Sequence, residues 1–227
     1  MDNQCNMPEE IEKQSMRIIE EELAKREVVL SPAKAAILKR IIFATADFDY
    51  IDNLFFSDYV IEKARKLLRT GANIVTDSTM VQAGIYKKAA SMLGVRIHCF
   101  QEHPGIAVDA KNRKVTKSTI GMEYGSRLAG ETIFVVGRAP TALWSLYYMA
   151  LKNKVHPALI IGTPAGLVSA QEAKERIISA RIPCIIAKGC KGGCNVAAAV
   201  CNELLRDALQ AKNYDSARKI EIEDDGL

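Results

Sequence analysis

Three short runs constrain the chain more than any other feature: Ile133-Phe134-Val135-Val136-Gly137, Ala158-Leu159-Ile160-Ile161-Gly162 and Cys184-Ile185-Ile186-Ala187-Lys188-Gly189. Each is apolar without alternation, stops on a glycine and is followed by a helical pattern, twice after a proline (Pro140 and Pro164). Continuous apolar strands are covered on both faces, as in parallel sheets sandwiched between helices. Further strands are predicted over 74–76 and 95–100, with the three above spanning 132–137, 158–162 and 183–189. Helical periodicity predicts helices over 8–27, 32–45, 58–70, 79–93, 118–129, 140–152, 170–180 and 193–211. The alternation gives an α/β fold in three layers, a mainly parallel sheet with helices on both faces. The first 70 or so residues show helical periodicity and no clear strand. The reading is one domain over residues 1–210, helical segment 8–70 included, and a flexible acidic tail over 211–227 carrying Glu221, Glu223, Asp224 and Asp225.

In open α/β sheets ligands sit beyond the carboxyl ends of the strands. The turns at 137–141, 162–166 and 189–193 are therefore expected to share one rim. Glycine there either lets the backbone approach a ligand or merely permits a tight turn. The last turn, Gly189-Cys190-Lys191-Gly192-Gly193-Cys194-Asn195, precedes a helix striped by Val196, Val200, Leu204 and Ala208. Unpaired N–H groups at that helix start, with Lys191 alongside, make a cradle for an anion. The spacing is not that of a nucleotide phosphate loop, and a carboxylate suits it equally. Thr76-Asp77-Ser78-Thr79 ends one strand and begins a helix, with Asp77 or Ser78 as its cap.

Charge and cysteine usage narrow the partners. With 31 basic against 27 acidic residues, the net charge of +4 is too small for a nucleic-acid binder. No stretch of about 20 uninterrupted apolar residues suggests a membrane span. Six cysteines without a secretory leader read as reduced thiols, which places the protein in the cytoplasm. Cys190, Cys194 and Cys201 do not have the paired spacing of structural zinc, and His98, His103 and His156 are scattered, so no metal is expected. Ser15 shares a helical face with Ile11, Ile18 and Ile19 and is expected to turn inward, toward a ligand or toward a backbone carbonyl. Phe43 falls off the Ile37, Leu38, Ile41, Ile42 stripe, on a face with Arg40 and Asp47; periodicity favours ordinary packing for it.

Six pieces, in order, carry a resemblance. They are Gln14-Ser15; Ala44-Thr45-Ala46-Asp47-Phe48-Asp49-Tyr50 with Phe56-Ser57; Thr76-Asp77 with Met80-Val81 and Gly84-Ile85; Gly137 with Ala139-Pro140-Thr141-Ala142-Leu143; Ile161-Gly162 with Pro164 and Gly166; and Lys191-Gly192-Gly193 with Asn195-Val196-Ala197-Ala198-Ala199. Together, over roughly residues 8 to 210, they resemble the precorrin-8X (cobalt-precorrin-8) methylmutase family of corrinoid, vitamin B12, biosynthesis.

The resemblance implies an isomerase that moves a ring methyl of an acidic tetrapyrrole from C-11 to C-12. The ligand is precorrin-8X, cobalt-precorrin-8 or the hydrogenobyrinic or cobyrinic acid product. It also implies a homodimer with the pocket near the subunit interface, and no separate cofactor. Carried onto this chain, the substrate-binding positions are Ser15, Thr45, Thr76, Asp77, Met80, Gly137, Arg138, Ala139, Pro140, Thr141, Gly162, Pro164, Gly189, Lys191, Gly192, Gly193 and Asn195. The family's catalytic histidine, in a motif like I-H-x-[TC], aligns with Phe43, which can neither donate nor accept a proton. Arg138 replaces the asparagine of G-N-A-P-T-A-L, and Cys190 and Cys194 stand in the family's G-R-K-G-G-S. These departures leave open a silent paralogue, or an engineered variant, that binds, stores or delivers a corrinoid.

Overall fold

The structure, a computed structural model, describes residues 7–224, with side chains through Tyr214. In chain order the elements are α1 (Pro8–Lys25), α2 (Pro32–Thr45), α3 (Tyr50–Asn53), β1 (Leu54–Phe56), α4 (Val60–Arg69), β2 (Asn73–Thr76), α5 (Thr79–Gly84), α6 (Lys87–Met92) and β3 (Arg96–Cys99). They continue with α7 (Pro104–Arg113), α8 (Lys117–Gly125), β4 (Thr132–Val136), α9 (Pro140–Leu151), β5 (Leu159–Gly162), α10 (Ala170–Ser179), β6 (Cys184–Ala187) and α11 (Cys194–Asp224).

The strands form one sheet in the order β1-β6-β5-β4-β2-β3, parallel throughout except for β1, which runs antiparallel on β6. The pleat sends alternate residues to opposite faces. Ile133, Val135, Leu159, Ile161, Ile185 and Ala187 pack on one side with α2, α4 and the first turns of α11. Phe134, Val136, Ile160, Cys184 and Ile186 pack on the other with α9 and α10. This is the expected three-layer α/β architecture, and it explains why β4 to β6 read as unbroken apolar runs.

Four expectations about elements need correction. The first 70 residues do contain a strand: β1 is only Leu54-Phe55-Phe56, and a three-residue edge strand is too short to show an alternation. The helix expected over 79–93 is two, because Ile85 leaves the helical conformation after Gly84 and Asn202 of α11 binds both Tyr86 N and Gly84 O. Helix α7 was not expected; only Ile106 and Ala110 of it are buried, too few for a stripe. Helix α11 does not stop at 211 but runs to Asp224. Of the tail 211–227, side chains beyond Tyr214 lie outside the described residues.

The connection from β3 to β4 carries the chain past β2 to its other side. Chain progress along the sheet therefore reverses between β2 and β4. Such a switch point opens a crevice at the strands' carboxyl ends.

Candidate functional site

The turns following β2, β4, β5 and β6 meet at that rim, as the strand pattern predicts. Asp77, directly after β2, reaches across the switch point. Its carboxylate accepts the backbone N–H groups of Gly137 (3.0 Å), Arg138 (2.8 Å) and Ala139 (2.7 Å). Asp77 is 1% exposed; burial pushes its carboxyl up, and the three amide donors pull against that. The cap of α5 is instead Ser78, whose hydroxyl accepts Val81 N–H. The amides after β4 are thus filled by the protein's own carboxylate rather than left for a ligand. Thr76 is also engaged internally, donating to carbonyls of Ser78 and His98.

The strand-ending glycines serve different purposes. A Cβ on Gly137 would stand 2.8 Å from Ala197 Cβ and 2.9 Å from Cys194 Cα, so this glycine lets α11 seat on the end of β4. Gly162 would meet Ile186 at 2.6 Å inside the core. Gly189 has open space around it but takes φ +70°, a turn requirement. At these three positions packing or the turn is by itself enough to require glycine. Gly192 is the tightest: at φ +150° a Cβ would lie 2.0 Å from Thr163 O.

The 189–193 loop is held from three sides. Thr163 accepts Gly193 N–H (2.6 Å) and donates its hydroxyl to Gly193 O (3.2 Å). Gly166 N–H binds Cys190 O (3.0 Å), while Gly166 itself lies against Pro140. Lys191 reaches out of the loop to Asp47 (2.8 Å) and Asp49 on the turn that follows α2. That ion pair lowers the Asp47 carboxyl, chiefly through the Lys191 hydrogen bond, and raises the Lys191 ammonium. Lys191 therefore sits clamped between two carboxylates and ties the end of α2 to the rim.

Thr45 closes α2, its hydroxyl donating to Ile41 O and accepting Asp47 N–H. Phe43, one turn from that end, is 38% exposed and outside every core cluster. The packing role that periodicity favoured is therefore wrong. The ring lies under the Arg40 guanidinium, 5.6 Å from its centroid, and Arg40 is paired with Glu12 and Glu203.

Ser15 departs from its expectation. Of its neighbours only Ile19 is buried; Ile11 and Ile18 are 48% and 53% exposed. The outer helix α1 touches the core through Met16, Ile19 and Leu23 instead, and Ser15 donates back to Ile11 O (2.8 Å). Met80, Arg138 and Asn195 are exposed, Pro140 and Thr141 half-buried, and Pro164 buried. Thr141 shares a hydrogen bond with Thr116 (2.8 Å), which brings the start of α8, with exposed Lys117, to the rim. Cys194 lies 3.6 Å from the Ser78 hydroxyl, Cys190 is exposed, and Cys201 is buried with its thiol pushed up to about 12.

Sequence reasoning missed the partners that act through space: Asp47 and Asp49 on Lys191, Gln101 on Asp77 O and Ser118, and above all Lys174. Lys174 is fully buried and donates to Gly189 O and Lys191 O, both at 2.8 Å. Its signal was present: Ala170, Ala173, Lys174 and Ile177 form one buried stripe of α10, with a lysine in a core register.

Residues 10–207 match the family model for precorrin-8X methylmutase. The chain is 36% identical over 208 residues to the cobalt-precorrin-8 methylmutase of Salmonella typhimurium, covering 90% of this chain and 97% of that one. It is 33% identical over 167 residues to the precorrin-8X methylmutase of Pseudomonas aeruginosa, covering 73% and 80%. Among solved structures, the precorrin-8X methyl mutase of Thermus thermophilus superposes with a TM-score of 0.78 at 30% identity, covering 88% of this chain and 98% of that chain.

Proposed function

The chain belongs to the precorrin-8X methylmutase family, isomerases of corrinoid biosynthesis, and we propose that it binds precorrin-8X or its cobalt form across the rim and moves a ring methyl from C-11 to C-12. The observation that carries this reading is the convergence of the four strand-end turns at one rim with exposed Arg138, Lys117 and Met80, beside the end of α2, which carries the exposed Phe43 and which Lys191 ties to the rim. A flat macrocycle edged with carboxylates needs both kinds of surface. Peripheral carboxylates meet amide and guanidinium donors, and the ring faces aromatic and thioether groups.

The migrating methyl never leaves its substrate, so the protein's contribution is to hold the ring with the receiving carbon aligned. Phe43 offers no proton, so the chain works by shape and electrostatics; an absent general acid costs typically 10²–10⁴-fold. Leu167 and Val168, 92% and 83% exposed beside the β5 turn, supply the apolar surface with which a second copy closes the rim in a homodimer. The free cysteines fit a reducing, cytoplasmic setting. Among the described residues no helix is long and apolar enough to cross a membrane.

The test is to mix the purified protein with precorrin-8X and with cobalt-precorrin-8 and to follow the visible spectrum. Appearance of the product chromophore is expected. A spectral shift without conversion reduces the protein to a corrinoid binder, and no change with either compound overturns the reading.

A further inference from the structure

Trans peptide planes point C=O and N–H in opposite directions. The carbonyls of Gly189 and Lys191 both point down to the Lys174 ammonium, at 2.8 Å each. The N–H groups sharing those planes belong to Cys190 and Gly192. They point away from the ammonium, to the exposed side of the loop, and among the described residues neither has a protein acceptor. The intervening carbonyl of Cys190 is turned aside by Gly166 N–H, and Gly193 is locked on both its groups by Thr163. We infer that Lys174 is a positioning residue: its buried ammonium, by holding two carbonyls of the 189–193 loop, presents the amides of Cys190 and Gly192 together as the seat for one peripheral carboxylate of the substrate.

The inference rests on the tetrapyrrole reading above and names which part of the rim takes a carboxylate. Two features make Lys174 suited to this. A lysine of zero exposure is among the rarest of buried side chains, so its charge has a use beyond packing. It also puts a positive charge directly behind two outward N–H dipoles, where it reinforces their attraction for an anion. Lys191, the other cation of the loop, is unsuited to this task because Asp47 and Asp49 already neutralise it.

The seat should depend on Lys174 being protonated, and burial lowers its ammonium to about 8. The thiol of Cys190 is the titratable group that acts on the ammonium. Helix α10 packs against β6 and α9, whose titratable side chains are Cys184, pushed up to about 12, and Tyr147 and Tyr148. Glu172, Glu175 and Arg176 lie on α10 itself.

The experiment titrates the whole protein with hydrogenobyrinic acid, read by visible absorbance, from pH 6.5 to 9.5. The wild type is expected to bind about tenfold more weakly at the top of the range than at neutral pH. Lys174→Gln and Lys174→Met are expected to bind about tenfold more weakly at neutral pH and to show a flat profile. Equal affinity at neutral pH, or an unchanged pH profile in both variants, overturns the inference. A ligand-free measurement keeps the test independent of variant folding: in ¹⁵N NMR of the wild type, the Cys190 and Gly192 amides are expected to titrate with a midpoint near 8. Amides that stay fixed across that range refute the contact. If the amides titrate but the wild type binds no corrinoid at any pH, Lys174 holds the loop and the carboxylate seat falls together with the functional reading.

Discussion

Placing a proton donor at position 43 is the most direct probe of the proposed catalysis. Phe43→His replaces a ring that is 38% exposed and belongs to no core cluster, so little packing is lost. The cation–π contact with Arg40, 5.6 Å away, contributes about 0.5–1 kcal/mol, and an imidazole retains part of it. The expected stability change is a loss of about 1 kcal/mol, a small fraction of a domain's total. The kinetic effect should be far larger. A positioned general acid contributes typically 10²–10⁴-fold, which is about 3–5 kcal/mol of transition-state stabilisation. The Arg40 guanidinium disfavours the imidazolium form, and Glu12 (2.8 Å) and Glu203 (3.6 Å) offset it in part. The rate gain should therefore be greatest on the acid side of about 6.5, the ordinary imidazole value, and shrink above it. The assay is single-turnover conversion of precorrin-8X followed spectrally at pH 5.5, 6.5 and 7.5, with product affinity measured alongside. A rate that stays at the wild-type level while product binding is intact would falsify the assignment of position 43 to the reacting face.

Three further perturbations test the rim itself. Gly192→Ala places a Cβ 2.0 Å from Thr163 O at a φ of +150°, so it should cost about 2–4 kcal/mol in chemical denaturation and weaken corrinoid binding; a variant as stable as the wild type refutes the loop geometry. Asp77→Asn puts an NH₂ group among three amide donors and should cost about 2–4 kcal/mol, with a loss under about 0.5 kcal/mol counting against the carboxylate as the keystone of the switch point. Lys191→Met removes the partner that lowers Asp47, so the Asp47 carboxyl, followed by ¹³C NMR, should rise toward 3.8. In the wild type that pairing contributes stability above 3.8, lost as pH falls through the lowered Asp47 value. An Asp47 that titrates identically in the variant disproves the clamp.

The fold was legible where burial on both faces left a mark in one dimension. β4, β5 and β6 are apolar at every position because helices cover both sides, and their carboxyl ends gave the rim. β1 was invisible because three residues on an antiparallel edge carry no period. α7 was invisible because Ile106 and Ala110 alone face inward. The site followed the same division. Its backbone features, the glycine turns and the helix start after Gly193, could be read from local spacing. What each polar group binds could not, because the partners are distant in sequence. Asp77 reads as an ordinary helix cap until Gly137, 60 residues on, is seen to donate to it. Lys191 reads as a free cation until Asp47 and Asp49 are seen to hold it.

Lys174 separates a role in binding from a role in folding, because pH should move the two in opposite directions. Its ammonium is lowered from 10.5 to about 8 by burial. Between those values the unfolded chain holds the proton and the native chain does not, so protonation favours unfolding and native stability rises with pH across the window. A separation of 10.5 − 8 = 2.5 corresponds to about 3 kcal/mol, and solvent screening through the exposed loop above the ammonium reduces this to about 1–2 kcal/mol. The carboxylate seat needs the charged form, so affinity falls over the same window. Urea denaturation at pH 7.5 and 9.5, as a difference between wild type and Lys174→Met, should show the wild type gaining stability relative to the variant as its affinity for hydrogenobyrinic acid declines. The rise in stability follows from the lowered ammonium whether or not the lysine serves the ligand, so the affinity curve is what separates the two roles. Affinity that stays level between pH 7.5 and 9.5 while the stability difference grows is thus the result that removes Lys174 from substrate recognition and leaves it as scaffold.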